Sequence, residues 1–285
     1  MNIFETFENG FHTRFRSDWR KAFIASCLGR LTDHERLVDF MFRYATFNSI
    51  FAGGIASLAG KIHVSQHVFR DRDDTEFQLA DRSAEIASRI FFAAEDEYDV
   101  CHLGKRVTHR ALAQLFLREL LRVCQGGDMI TLNERRLDET HSNLMSEVLE
   151  AYQATHGNED EALFYAMGFH LASEQFADQE FNTIDEFLKR HVPTVVQSLQ
   201  GMTGPAGFDA YYWITTHCIV ETEHAEFAAD GIRLAFDYYV GDQQRNAILN
   251  AALKGVADFA RIQESLFRNA SGATQLQSEC LALTA

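Results

Sequence analysis

Proline is nearly absent from this 285-residue chain. Only Pro193 and Pro205 occur, where average usage of about 5% would give roughly fourteen, so few helices have to break. Basic charge is scarce as well: 26 Lys and Arg stand against 41 Asp and Glu, and the net charge of −15 excludes a surface built to hold nucleic-acid phosphates. No Cys-x-x-Cys pair exists. Cys27, Cys101, Cys124, Cys218 and Cys280 are odd in number and far apart, which excludes a disulfide framework and a thiolate zinc motif. No apolar run reaches the roughly 18 residues of a membrane span, and Met1 to Glu8 carries neither the basic patch nor the apolar stretch of a signal peptide. The expectation is a cytoplasmic protein with neither membrane nor nucleic acid as a partner.

What the chain does have is helical periodicity. Apolar residues recur at spacings of three and four, as in Leu37, Phe40, Met41 and Tyr44, or Ala113, Phe116, Leu120 and Leu121. The pattern predicts helices near 4–28, 33–52, 54–68, 75–101, 108–125, 134–155, 159–177, 182–201, 206–240 and 242–270. Thr32 and Asp33 offer an N-cap, and Gly53-Gly54, Gly126-Gly127 and Gly157 read as interruptions. No break is long enough for an interdomain linker, so the reading is one all-α domain over 1–270. Residues 126–158 form a peripheral excursion in that reading, and 271–285 a flexible tail. The 24 phenylalanines read mainly as core, with a hydrophobic pocket lining as the smaller share.

Chemistry concentrates on the 206–240 helix. His217, Glu221 and His224 stand at relative positions 0, +4 and +7, so the last two fall within roughly 40° of His217 on the helix surface. Glu223, Glu226 and Asp230 point away. Two imidazoles and a carboxylate on one largely apolar face are costly to bury unless they hold a metal. A zinc-protease helix would read His-Glu-x-x-His, which is absent. A ferritin-like bundle would repeat Glu-x-x-His on two helices, and Glu221 to His224 is the single such pair; Asp99 to His102 and Asp138 to His141 are imitations with a shorter carboxylate.

Further ligands have to come from other helices. Glu174 is embedded among Phe, Leu and Ala, with His170 and Asp178 on its face at i−4 and i+4; an exposed polar stripe is the competing reading. In the segment from Phe91 to Leu112, a continuous helix would align Glu95, His102 and His109 every seven residues. A break at Gly104 would instead let Glu97 meet His109, with Thr108 as N-cap.

Taken in order, these segments resemble the haem-oxygenase-like di-iron oxidases and oxygenases. His217-x-x-x-Glu221-x-x-His224 matches that family's final element in full, and Glu174 its middle Glu. Asp96-Glu97-Tyr98-Asp99 followed by His109-Arg110-Ala111-Leu112 looks like its first element, with a longer gap and Asp99 in place of the customary Gly. The resemblance therefore implies a haem-oxygenase-like helical bundle with Glu97, His109, Glu174, His217, Glu221 and His224 as metal ligands, and Glu95 and His102 as alternates for the first pair. It also implies two non-haem irons as cofactor and O2 as co-substrate. A true haem protein of this fold would need one proximal His, and a thiaminase-like member a Cys nucleophile; Cys218 faces about 100° away from His217.

The activity so implied is an O2-dependent oxidoreductase of biosynthesis acting on a small amine or amino acid, by N-oxygenation or oxidative C–C cleavage. Fatty-acid-type oxidative decarboxylation is the alternative within the fold, and a non-catalytic helical binding protein with a vestigial metal site is the rival from another class. A small molecule is the expected partner, and a homodimer is left open.

Overall fold

The structure, a computed structural model, describes residues 3–14, 17–71, 73–98, 100–102, 105–126, 135–155, 157–204 and 207–272. For 14, 17, 100–102 and 105–106 the backbone alone is described. Asp99, Gly104, the His102 side chain and the tail beyond 272 lie outside the described residues.

The helices are α1 (Ile3–Arg14), α2 (Ser17–Leu28), α3 (His34–Asn48), α4 (Phe51–Val64), α5 (Asp81–Tyr98), α6 (His109–Gln125), α7 (Glu139–Tyr152), α8 (Glu159–His191), α9 (Pro193–Gln200), α10 (Tyr212–Tyr238) and α11 (Arg245–Ala270). Between α5 and α6 a small hairpin pairs β1 (Val100–His102) with β2 (Lys105–Val107), antiparallel. Among the described residues no helix is long and apolar enough to cross a membrane.

The architecture is set by α8, a 33-residue helix that runs about 50 Å through the centre. Asn158 caps it by accepting from the Glu161 N–H at 2.9 Å. Glu159, Asp160 and Glu161 in the first turn and Lys189, Arg190 and His191 in the last complement its dipole. The sequence pattern predicted a break between 177 and 182, and the structure has none there. Asp178-Gln179-Glu180-Phe181 contains no helix breaker, and Glu180 and Phe181 are buried, so packing carries the helix on to Val192. Pro193 then stops it: the residue before proline is pushed out of the helical region, and Pro193 itself opens α9.

α10 and α11 flank α8. The α11 contact is backbone to backbone. A Cβ on Gly168 would lie 2.1 Å from the Ala252 carbonyl oxygen, and one on Gly255 would lie 2.0 Å from that of Tyr165. Glycine in mid-helix costs roughly 1 kcal/mol against alanine, and here the close approach requires it on both helices.

Two other expectations change. Gly53 and Gly54 do not interrupt a helix pair but lie inside α4; the chain turns at Ser49 and Ile50 instead, where the Ser49 N–H bonds back to Ala45 and Thr46. The 126–158 segment, read as a peripheral excursion, contributes α7, whose His141, Leu144, Val148, Ala151 and Tyr152 are buried against the bundle. Asp138 serves there as N-cap, accepting from the His141 N–H, so Asp138 and His141 are helix punctuation rather than a ligand pair.

Candidate metal centre

Four elements bring the six Glu and His residues together: the end of α5, the start of α6, and the middles of α8 and α10. Glu97 is one residue from the end of α5. The hairpin returns the chain so that Thr108 caps α6, accepting from the Ala111 N–H at 3.1 Å, and His109 becomes its first residue. The Glu97 Oε1 then lies 2.7 Å from His109 Nδ1 and 3.4 Å from His217 Nε2. The rings of His109 and His217 are 4.4 Å apart. This is the first triad.

Glu174, Glu221 and His224 form the second. His224 Nδ1 stands 3.4 Å from Glu221 Oε2 and 3.5 Å from Glu174 Oε2. Within each triad the donor atoms all lie within 4.8 Å of one another. Glu221 joins the two: its Oε1 is 3.8 Å from His217 Nε2 while its Oε2 faces His224. One helix thus supplies both triads from a single face, while Glu223 and Glu226 are exposed and Asp230 pairs with Arg89 and Arg233.

Neighbouring groups fix the imidazoles. His217 Nδ1–H donates to the Trp213 carbonyl at 2.6 Å, which leaves Nε2 with its lone pair toward Glu97, and Phe181 stacks on the ring at 4.1 Å. His224 turns its other nitrogen, Nε2, to Asp96 Oδ2 at 3.4 Å, the carboxylate–histidine arrangement that orients metal-bound imidazoles. Behind Glu174, Ser173 Oγ donates at 3.2 Å to Glu174 Oε1 or at 2.7 Å to the His170 carbonyl, and Tyr152 OH lies 2.9 Å from that Oγ. Asp96 and Tyr152 are supporting groups that the sequence reading missed. Asp96 had a local signal, standing next to Glu97 in the turn, but Tyr152 reaches the site from α7 through tertiary packing alone.

Of the alternates, Glu95 is not brought in, and the His102 side chain lies outside the described residues. Glu95 is exposed, about 200° around α5 from Glu97. Asp178, expected on the face of Glu174, instead accepts from Asn182 at 3.0 Å. Burial pushes the Cys218 thiol up to about 12, which makes it a poor nucleophile.

The electrostatics of the six residues are unbalanced. Burial penalises the Glu97 carboxylate, yet His109 and His217 beside it hold it below the usual carboxylate range. Glu174 is likewise held low against burial by His170 and His224. Burial pushes Glu221 up by more than His224 and His217 pull it down, and the negative Glu174 adds to the rise. Burial works against a charged His224, but Asp96, Glu174 and Glu221 hold it far above the ordinary imidazole value. Three carboxylates crowded in low dielectric want more positive charge than the imidazoles provide. His109 Nε2, buried without a hydrogen-bond partner, is a further donor atom left unused. Nitrogen and carboxylate donors without thiolate suit iron or manganese, so the residues fit a two-metal centre.

Two spaces adjoin it. A small cavity of about 40 Å³ lies among Glu97, Glu174, Glu221, His217 and His224, lined by Phe47, Phe51 and Phe259. A larger pocket of about 420 Å³ opens on the other side of Glu97, His109 and His217. The Glu97 side chain, which lines it, is 21% exposed, whereas those of His109, His217 and Glu221 are 4% exposed or less, so Glu97 is the most open of these groups.

Glu180 also borders the small cavity. It accepts from Tyr44 OH at 2.9 Å and from Gln263 Nε2, and the Gln263 Oε1 in turn accepts from Arg20. Burial pushes its carboxyl up to about 7 against the pull of Gln263, Tyr44 and Arg20. Between its ordinary value of 4.5 and about 7, the folded chain keeps a proton that the unfolded chain has released, so stability falls as pH rises through that window. Glu180→Gln removes this loss. Urea melts are expected to show the variant gaining on the natural chain from pH 4.5 to about 7, by up to roughly 3 kcal/mol. A difference that does not change with pH contradicts the assignment.

No protein-family model matches the chain, and no curated protein matches its sequence. Solved structures do. A CADD-like protein of unknown function from Nostoc punctiforme superposes with TM-scores of 0.59 and 0.56 in two crystal structures. Identity is 14% and 13%, covering 96% and 88% of this chain and 99% and 87% of the other. A domain of unknown function with a heme oxygenase-like fold from Shewanella denitrificans superposes at 0.54, with 14% identity over 98% of this chain and 96% of that one. The chain has a haem-oxygenase-like helical fold in a single domain.

Proposed function

We propose that this protein is a non-haem di-iron oxidoreductase that uses O2 to oxidise a small amine or amino acid, by N-oxygenation or oxidative C–C cleavage. The observation that carries the reading is the meeting of the two Glu/His triads through Glu221. Glu97, His109 and His217 would hold one iron, and Glu174, Glu221 and His224 the other. Bound there, a pair of irons supplies the electrons that reduce dioxygen.

The chain's own contributions follow from its geometry. Trp213 fixes the tautomer of His217 and Asp96 orients the ring of His224, so both imidazoles are positioned before metal arrives. Phe47, Phe51 and Phe259 give the small cavity an apolar lining, and it has room for a molecule the size of water or dioxygen. The substrate enters from the larger pocket, beside the more open triad. His109 and His217 are buried and line that pocket, so a bound substrate would cover them.

The test is oxygen uptake. Protein loaded anaerobically with ferrous iron is expected to consume O2 faster when a panel of amino acids and amines includes its substrate, and His217→Ala is expected to lose the stimulation. Iron-loaded protein whose O2 uptake no member of the panel alters would favour the non-catalytic binding protein.

A further inference from the structure

The larger pocket has a chemical polarity of its own. Its floor is the first triad, and its walls join apolar groups, Ile50 from the α3–α4 turn, Ala113 from α6, Leu149 from α7 and Trp213 from α10, to the polar Asn48 and Thr108. Among the described residues, and apart from the triad, Arg110 is the one charged side chain lining it. Arg43, Arg82, Arg122 and Arg233 are each engaged by carboxylates. Arg110, exposed on the first turn of α6, has no hydrogen bond or ion pair among the described residues. In a chain of net charge −15, with the Glu97 carboxylate at the pocket floor, such a group is what draws in an anion. A guanidinium pairs with a carboxylate through two parallel N–H donors, which gives orientation as well as attraction.

We infer that the pocket binds a ligand with a carboxylate at one end and an apolar body, its carboxylate on Arg110 at the mouth and its other end directed at Glu97, His109 and His217. This narrows the substrate of the proposed reaction to a carboxylate-bearing molecule such as an amino acid and sets aside a simple amine. Its chemistry rests on the di-iron reading, while the binding itself does not. A volume of about 420 Å³ suits such a molecule.

Gly53 provides an independent handle. It lies in α4 on the pocket wall, and a Cβ there would meet nothing within 4 Å, so a side chain can be added at this wall without a clash at its first atom.

Calorimetry on the full chain with 3-phenylpropionate, its neutral amide and phenethylamine tests the inference. The carboxylate is expected to bind at least about tenfold more tightly than the amide or the amine. Arg110→Gln should remove that advantage and leave amide binding unchanged, while Arg110→Lys restores part of it. Gly53→Leu should weaken carboxylate and amide together. Equal binding of carboxylate and amide, carboxylate binding unchanged in Arg110→Gln, or no carboxylate binding overturns the inference. Iron content measured on the same preparations separates the two claims: carboxylate selectivity in protein that takes up no iron overturns the di-iron reading alone.

Discussion

Glu221→Ala is expected to empty both halves of the metal centre, whereas His109→Ala empties one. Glu221 lies between His217 and His224 with one carboxylate oxygen toward each, so its removal takes a ligand from the second triad and opens the space that holds the first. His109 touches Glu97 and His217 alone among the six. Iron bound after anaerobic loading and desalting should therefore fall from about two per chain to near zero in Glu221→Ala, and to about one in His109→Ala. Removing a carboxylate that burial disfavours does not itself unfold the chain, and a thermal melt without metal checks this. Retention of half or more of the iron in Glu221→Ala would mean that the triads are independent.

Gly255→Ala is expected to cause the largest loss of stability of any single methyl addition considered, at least about 3 kcal/mol, equivalent to a fall in Tm of roughly 10 °C. The added Cβ would sit 2.0 Å from the Tyr165 carbonyl oxygen, an atom of the α8 backbone that cannot rotate away. α8 and α11 would have to separate, and α8 carries Glu174, so iron affinity is expected to fall with stability. Gly60→Ala, in α4 with nothing within 4 Å of its Cβ, is the control and should be neutral or stabilising by up to about 1 kcal/mol. Equal melting temperatures for the two variants would show that the helices do not meet at these glycines.

The parts of the centre that were legible in the sequence are those carried by one helix. His217, Glu221 and His224 follow from the helical repeat alone, and the structure turns all three inward. Glu174 needed a longer view, because the helix that bears it passes without a break through a stretch whose polar residues suggested an end. Whether Glu97 or Glu95 faces inward depended on the chain between 98 and 108 being a hairpin rather than helix, and short polar segments do not declare that choice. Tyr152, the pocket walls and the approach of Gly168 to Ala252 are products of packing between distant segments, for which the local pattern carries no signal.

The same distinction explains why the site has two faces of different character. Glu174, His217, Glu221 and His224 on α8 and α10 are buried in the core. Residues at the α5–α6 junction lie beside a pocket, where Glu97 remains partly open and Arg110 has no ion pair among the described residues. A centre that must exclude water yet admit a substrate needs that asymmetry.

The most direct test of a two-metal centre is anomalous diffraction at the iron edge from crystals grown with ferrous iron under anaerobic conditions. The account predicts two peaks about 3.5–4 Å apart, one among Glu97, His109 and His217 and one among Glu174, Glu221 and His224, with Glu221 between them. Iron at neither triad, or at surface carboxylates alone, would contradict it.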